Sequence, residues 1–151
     1  MINSANRTGT GRSLLAGAGK GAAATATMTG VFRAFERAGW IGQLPPRQIV
    51  DRLLPELDDD RARWLTLIAH FGYGTALGSA YALLSRSPSA LRGAVFGVAV
   101  CLANYELGLP LLRIREPMHR DHPREIAALI TAHLVYGAGL GRRVRRGGSG
   151  G

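Results

Sequence analysis

The sequence is poor in residues that carry much of protein chemistry, with one cysteine, Cys101, and one lysine, Lys20, among 151 residues. A single cysteine excludes an intramolecular disulfide framework and a cysteine-rich metal site. The HExxH and CxxC motifs, the nucleophile elbow and the phosphate-binding loop are also absent. We therefore predict a single domain that is not an enzyme and that carries no cofactor or metal.

Acidic residues are scarce as well: ten stand against nineteen basic residues, which gives a net charge of +9. Such an excess suits nucleic acid, anionic lipid or an acidic partner. We predict no nucleic-acid binding, because the sequence has no base-reading motif and no basic face interleaved with aromatic residues. Anionic phospholipid headgroups fit better, at about 1 kcal/mol per basic residue near a membrane surface. The basic tail predicted to face these lipids consists of Arg142, Arg143, Arg145 and Arg146.

Charge is missing altogether from long stretches of the chain. Residues 64–84 contain no formal charge at pH 7, and about 20 apolar residues suffice for a helix to cross a bilayer. A soluble helix facing one core would show a charged face at helical spacing, which this segment lacks. Three further apolar segments cover residues 14–35, 91–112 and 126–141. We predict an all-α, four-helix transmembrane bundle at 1–146, followed by a flexible glycine-serine tail at 147–151.

Each predicted helix carries two glycines four residues apart. In lipid, such pairs let two helix backbones approach closely, and this contact drives helix association. In a soluble helix, each glycine would instead cost about 1 kcal/mol of helix propensity. The four pairs, which support a membrane bundle, are Gly17/Gly21, Gly74/Gly78, Gly93/Gly97 and Gly137/Gly141.

The connection between the first two predicted helices contains a turn and an amphipathic pattern. Pro45 and Pro46, followed by Arg47, form a stiff turn at the predicted membrane interface. Apolar residues then recur at helical spacing among charged ones, which predicts a short amphipathic interfacial helix between helices 1 and 2. These apolar residues are Ile49, Val50, Leu53, Leu54 and Leu57. Residues 58–60, all aspartate, predict the start of the second long helix rather than a calcium loop, which needs alternating ligands and a tight glycine turn.

The orientation of a membrane protein follows the basic residues that flank its helices. Four helices place both termini on one side, with nine basic residues there and ten on the other side. This count does not decide the orientation. The basic tail directly after the last helix is therefore the strongest local signal for the cytoplasmic side. We predict a multi-pass protein of the bacterial inner membrane with both termini in the cytoplasm.

Four polar residues interrupt the apolar segments: His70, Asn104, Glu106 and His133. Ionisable groups inside a membrane are costly and usually face the bundle interior. By default these residues form interhelical hydrogen bonds that fix packing, worth about 0.6–2 kcal/mol each. Two alternatives stay open. The histidines relay protons, since histidine titrates near neutrality, or two histidines and a carboxylate bind zinc or iron.

Several short motifs follow one another in a characteristic order between about Gly30 and Arg146. They are Leu44–Arg47, His70 with Tyr81, Arg92–Gly93, Leu109–Pro110, Glu125–Ile126, Ala132–Tyr136 and a closing arginine pair. This order resembles the YagU-like family of bacterial inner-membrane proteins, a domain of unknown function. The chain departs from the family in a shorter first loop and tail and in a less hydrophobic first helix. The resemblance implies a membrane protein related to stress or acid tolerance.

Two functions follow as alternatives. The first is a small integral inner-membrane protein that acts as an accessory in stress or acid tolerance, with the lipid bilayer as its partner. The second is a transporter or channel subunit for protons or small ions. It would act as a homo-oligomer, because four short helices leave little room for a pore.

Overall fold

The computed structural model describes residues 4–142, with side chains described from Thr10 onward. Five helices make up this part of the chain, and no strand occurs within it. The helices are α1 (Ser4–Arg37), α2 (Pro45–Leu53), α3 (Asp59–Leu84), α4 (Ala90–Leu111) and α5 (Pro123–Gly141). A 3-10 turn, Met118–Arg120, lies between α4 and α5. The all-α prediction is confirmed.

Three of the four long helices begin several residues before their apolar stretches. α3 starts at Asp59 rather than at residue 64, because the Asp58 carboxylate accepts a hydrogen bond from Arg61 N (2.9 Å) and caps the first turn. α5 starts at Pro123 rather than at residue 126, after an N-cap at His122. α1 likewise extends beyond the predicted 14–35. Apolar patterning marks the packed face of a helix, so it misses these polar ends.

The four long helices form an antiparallel bundle in the order α3–α1–α5–α4. α1 packs against both α3 and α5, and α5 packs against α4, while α2 lies on α3. α3 and α4, joined by the short connection 85–89, meet mainly through side chains. The ring centroids of Tyr81 and Phe96, for example, lie 5.2 Å apart. The backbones of α3 and α4 therefore stand further apart than those of the other neighbours.

The predicted glycine pair of α1 contacts that of α3, and the pair of α4 contacts that of α5. A Cβ atom at Gly21 would lie 2.5 Å from the carbonyl oxygen of Gly74, so α1 and α3 touch through their backbones and leave no room for a side chain. α4 and α5 touch in the same way. The contacting pairs are Gly17–Gly78, Gly21–Gly74, Gly93–Gly137 and Gly97–Gly137, with Gly141 against Ser89.

These contacts define one end of the bundle, which also contains the connection 85–89 and Arg142; we call it the glycine end. The opposite end contains α2 and residues 112–122, and we call it the wide end. Large side chains fill the bundle toward the wide end, and Phe32 and Leu129 are fully buried there. Their neighbours in the core include Met28, Tyr105, Leu109 and Met118.

Ion pairs fasten the connections of the wide end to the starts of two helices. Arg47 on α2 donates to Asp59 at the start of α3 (2.8 Å), and this hydrogen bond holds the pKa of the Asp59 carboxyl below its usual range. Arg115 pairs with Asp121 (3.0 Å) and with Glu125 in the first turn of α5 (2.6 Å). Arg47, which was predicted to lie in a turn, is instead part of α2 and joins it to α3.

Among the described helices, α4 alone is long and apolar enough to cross a membrane, as judged by length and composition. In α1, α3 and α5, glycine, threonine and histidine are interspersed among the apolar residues. On these criteria, one of the four predicted membrane-spanning helices is recovered.

Candidate functional site

A cavity of about 420 Å³ lies between α3 and α4, where their backbones stand apart. α1 and α5 form its floor, and α2 covers it toward the wide end. This volume falls within the range of about 300–1,000 Å³ that is typical of small-molecule sites. Apolar side chains line most of the cavity. The hydrogen-bonding side chains among them are Thr25, His70, Tyr73, Asn104, Tyr105, His133 and Tyr136.

A π-helical turn, Ala103–Gly108, shapes the α4 wall of the cavity. Pro110 has no N–H to donate to the carbonyl of Glu106, and its ring would clash with that carbonyl in a regular α-helix. The turn before it is wider, and Leu109 N donates to Asn104 O instead. Turns of this kind occur frequently at functional sites. Here the turn contributes Asn104 and Tyr105 to the cavity wall.

His133 lies in the floor of the cavity and is 4% exposed. Its Nδ1 lies 2.8 Å from the carbonyl oxygen of Leu129. Because a carbonyl oxygen can only accept, Nδ1 carries a proton, and in the neutral imidazole Nε2 is then left as an acceptor. The rings of Tyr105 and Phe32 stand edge-on to the imidazole, with centroids 5.7 and 6.2 Å away. The ring is thus held in one orientation.

Three other polar side chains of the cavity are already hydrogen-bonded. Tyr73 donates to Asn104 Oδ1 across the gap between α3 and α4 (3.0 Å). Tyr136 donates to Gly74 O (2.6 Å), and Thr25 donates to a carbonyl of its own helix. Within the described residues, no hydrogen bond involves the His70 ring, the Asn104 amide nitrogen, the Tyr105 hydroxyl or His133 Nε2. These four groups remain available to a ligand.

The structure therefore brings together three of the four polar residues singled out in the apolar segments, His70, Asn104 and His133. Glu106 does not join them. Its carboxylate accepts a hydrogen bond from the backbone N–H of His119 (3.0 Å), and its second oxygen lies 2.8 Å from His119 Nδ1. Glu106 thus fastens the connection before α5 instead of facing the interior.

Without Glu106 the cavity offers two histidines and no carboxylate. Among residues 10–142, no group of three His, Cys, Asp or Glu side chains is placed to hold a metal ion. The zinc or iron interpretation therefore loses its third ligand. The arrangement instead provides neutral donors and acceptors in an apolar surround, which is the chemistry of a binding site.

Two tyrosines of the cavity, Tyr73 and Tyr136, escaped the sequence-based selection. Each stands three residues after a cavity histidine, Tyr73 after His70 and Tyr136 after His133. Residues at this spacing share a helix face. That repeated spacing is the signal from which both could have been found.

The remaining predicted site residues lie at the two ends of the molecule. Pro45 and Pro46 start α2 and cover the wide end of the cavity, while Arg47 faces its ion-pair partners. At the glycine end, Lys20 Nζ donates to Arg142 O (3.0 Å). The rest of the basic tail and the glycine-serine tail lie outside the described residues; they are Arg143, Arg145, Arg146 and 147–151.

Comparison with known proteins identifies no relative: no protein-family model, no curated protein and no solved structure matches the chain. The resemblance to the YagU-like family stays a prediction.

Proposed function

We propose that the chain is a small accessory protein of the bacterial inner membrane that crosses the bilayer with α1, α3, α4 and α5 and performs no catalysis. The observation that carries this proposal is the outward-facing apolar surface of α3 and α4. Membership of the YagU-like family and a role in stress or acid tolerance belong to the same proposal and rest on the resemblance of motifs alone.

Large apolar side chains on α3 and α4 point away from the bundle. Five of them are about two-thirds or more exposed: Trp64, Ile68, Leu84, Leu91 and Leu111. Arg63 and Arg86 bound the uncharged stretch of α3, and Arg92 stands near the start of α4. In water, many exposed large apolar side chains of this kind favour association or aggregation. In a bilayer they form the surface that the lipid solvates.

Several hydroxyl side chains of the less apolar helices α1 and α3 are hydrogen-bonded within the protein, which makes them compatible with a lipid environment. Within the hydrocarbon region each polar group needs a partner from the protein itself. In α1 and α3, five hydroxyl groups donate to the backbone carbonyl four residues earlier, within the same helix. They belong to Thr25, Thr27, Thr29, Thr66 and Ser79. These bonds support the insertion of α1 and α3 despite their threonine and serine content.

The distribution of charge supports an orientation with both termini in the cytoplasm. All ten acidic residues and ten arginines fall within residues 33–63 and 106–125, in the elements of the wide end. The other nine basic residues lie before residue 21, between residues 85 and 92 and after residue 141, with no acidic residue among them. The whole excess of +9 thus belongs to the glycine-end segments, and because anionic headgroups attract basic segments, we place this end against the cytoplasmic leaflet.

A topology map tests this proposal. Alkaline phosphatase and green fluorescent protein fusions after residues 43, 87, 116 and 142 report the side of each connection. We expect periplasmic signals at 43 and 116 and cytoplasmic signals at 87 and 142. A cytoplasmic signal at 116, or release of the intact chain from membranes by alkaline carbonate, contradicts the four-span arrangement.

Transport of protons or small ions by a homo-oligomer is a second candidate, favoured by the placement of His70 and His133 in one cavity. Proton flux into liposomes that contain the purified protein tests it, with empty liposomes as the reference. Transport requires flux above the reference that a His133→Gln variant loses. Wild-type flux equal to that of empty liposomes rules transport out.

A further inference from the structure

We propose that the cavity between α3 and α4 binds one uncharged, largely apolar molecule with a hydroxyl head, such as a long-chain alcohol or a neutral lipid of that class. Binding follows from the lining of the cavity. Entry from the surrounding bilayer also rests on the proposed membrane location.

The cavity lining contains no charged side chain, and this is the first restriction on the charge of the ligand. No Asp, Glu, Lys or Arg side chain lines the cavity. A carboxylate or phosphate head would therefore be taken out of water without a counter-charge, which costs several kcal/mol. An ammonium head meets the same obstacle. Fatty acids and phospholipids are thus disfavoured relative to their uncharged analogues.

The unpaired polar groups restrict the head group further. His133 Nε2 is an acceptor, because Nδ1 donates to Leu129 O. The amide nitrogen of Asn104 is a donor, since its oxygen already accepts from Tyr73. A hydroxyl group both donates and accepts, so a single hydroxyl head can pair with either group. A carbonyl head would leave Nε2 unpaired, and a hydrocarbon would leave both groups unpaired.

The remainder of the lining suits an alkyl chain or a small ring. Met28, Phe32, Leu77, Val100 and Leu109 present apolar atoms to the space. About 420 Å³ admits a molecule of small-ligand size and excludes a two-chain phospholipid in full. The ligand therefore occupies the cavity with one apolar portion.

The entrance lies between α3 and α4. Ala69 and Tyr73 on α3 line the cavity and are exposed, as is Leu112 at the end of α4. α1 and α5 close the floor, and α2 covers the wide end. The open side therefore faces outward from the bundle, toward the hydrocarbon of the proposed bilayer.

Photolabelling locates the ligand directly. The full chain in lipid nanodiscs is irradiated with a dodecyl alcohol that carries a diazirine, and the labelled peptides are mapped by mass spectrometry. We expect labelling of the cavity-lining parts of α3 and α4 that excess dodecanol displaces. The matching diazirine fatty acid, at a pH where it is ionised, labels these positions about a hundredfold less, or more weakly still, because its carboxylate would be buried without a counter-charge.

Two matched variants separate the cavity from the lipid-facing surface. Ala69→Phe places a ring in the cavity, whereas Ala76→Phe adds the same ring two turns further along α3, at an exposed position that does not line the cavity. We expect Ala69→Phe to reduce cavity labelling about tenfold or more and Ala76→Phe to leave it unchanged. Asn104→Leu, which keeps the branched shape of the side chain but removes both the amide donor and the oxygen that accepts from Tyr73, should reduce it about fivefold.

Equal labelling in Ala69→Phe and wild type, or label confined to the outer faces of the helices, overturns the proposal. So does equal labelling by the alcohol and the ionised acid. Carbonate extraction of the same preparations reports membrane insertion independently of the label. If the chain is extracted, the labelling is repeated in buffer; displaceable cavity labelling there would keep the ligand site and reject the membrane location.

Discussion

The two ends of the bundle pack the same four helices in different ways. At the glycine end, α1 touches α3 and α4 touches α5 through their backbones, with no side chain between them. At the wide end, Phe32, Tyr105 and Leu129 hold the helices apart, and a cavity remains between α3 and α4. Backbone contact gives a fixed geometry and no free space, so a ligand site can form only where these contacts stop.

The wide end and the glycine end also differ in the balance of their charged residues. Acidic residues equal the arginines of the wide end in number, and five of these arginines form ion pairs, among them Arg47, Arg63 and Arg115. The glycine-end segments carry basic residues without acidic ones. The formal charges of the wide end therefore sum to zero, while the glycine-end segments carry the whole net charge of +9. Substitutions at the two ends should differ accordingly in kind and in size.

Breaking the backbone contact at the glycine end should have the largest effect. A Cβ atom at Gly21 meets backbone atoms of Gly74 and Thr75 at 2.5 and 2.9 Å, which cannot rotate away. We expect Gly21→Leu to lower the free energy of unfolding by about 3 kcal/mol, at the upper end of overpacking costs. Thermal unfolding in detergent, followed by circular dichroism, measures the loss.

Gly19 is the matched control, two residues away on the same helix. A Cβ atom there meets nothing within 4 Å. Gly19→Leu should therefore be neutral, or should stabilise by about 0.5 kcal/mol through helix propensity. Equal losses in the two variants would mean that α1 and α3 do not meet at Gly21.

At the wide end, the largest single loss should come from Arg115. Its guanidinium pairs with Asp121 and Glu125, and all three side chains are less than a quarter exposed. Arg115→Met leaves two carboxylates without their partner, at a cost of about 2 kcal/mol. Arg120→Met is the control, because Arg120 is well exposed and lies 3.8 Å from Glu116. We expect less than about 0.5 kcal/mol there. Similar melting temperatures for both variants would show that the Arg115 pairs do not stabilise this end.

Removing the hydroxyl of one tyrosine from each end should have a smaller effect on stability. Tyr136 borders the cavity and donates to Gly74 O (2.6 Å), whereas the buried Tyr81 hydroxyl has no partner among the described residues. Tyr136→Phe should cost about 1 kcal/mol, while Tyr81→Phe should be neutral or slightly stabilising. The same melting experiment tests the pair. A loss in Tyr81→Phe equal to that in Tyr136→Phe would indicate that the Tyr81 hydroxyl does have a partner.

The glycine end was the more predictable of the two regions. Glycines four residues apart predict which face of each helix is used, because the spacing repeats on one side of a helix. They do not predict which helix each face meets, since all four pairs satisfy the same rule. The pairing of Gly21 with Gly74 and of Gly93 with Gly137 is settled by the connections and by the large residues beyond them.

The cavity was less predictable, because it depends on a local departure from regular helix geometry. Regular α-helical spacing through residues 91–112 leaves Glu106 among the interior candidates. The π-helical turn before Pro110 adds a residue to that turn, and Glu106 instead meets His119. His70 and His133 both line the cavity, but the space between them arises from the separation of α3 and α4. No pattern along one chain segment encodes that separation.

The smallest effects should come from two helix ends at the wide end that share one geometry. After α1, Gly39 has φ +71° and donates to Glu36 O (3.0 Å), and Trp40 N donates to Phe35 O (2.9 Å). After α4, Arg113 has φ +53° and donates to Pro110 O (2.9 Å), with Ile114 N donating to Leu109 O (3.0 Å). Both are Schellman caps, in which the left-handed position favours glycine.

The two caps differ in the residue at that left-handed position, so opposite substitutions should shift stability in opposite directions. Arg113→Gly relieves the side-chain strain and should raise the free energy of unfolding by about 0.5–1 kcal/mol, while Gly39→Ala should lower it by about 1 kcal/mol. Chemical unfolding at constant detergent concentration resolves differences of this size. If Arg113→Gly destabilises the protein instead, the arginine side chain contributes more at the surface than its backbone strain costs, and the two caps are not equivalent.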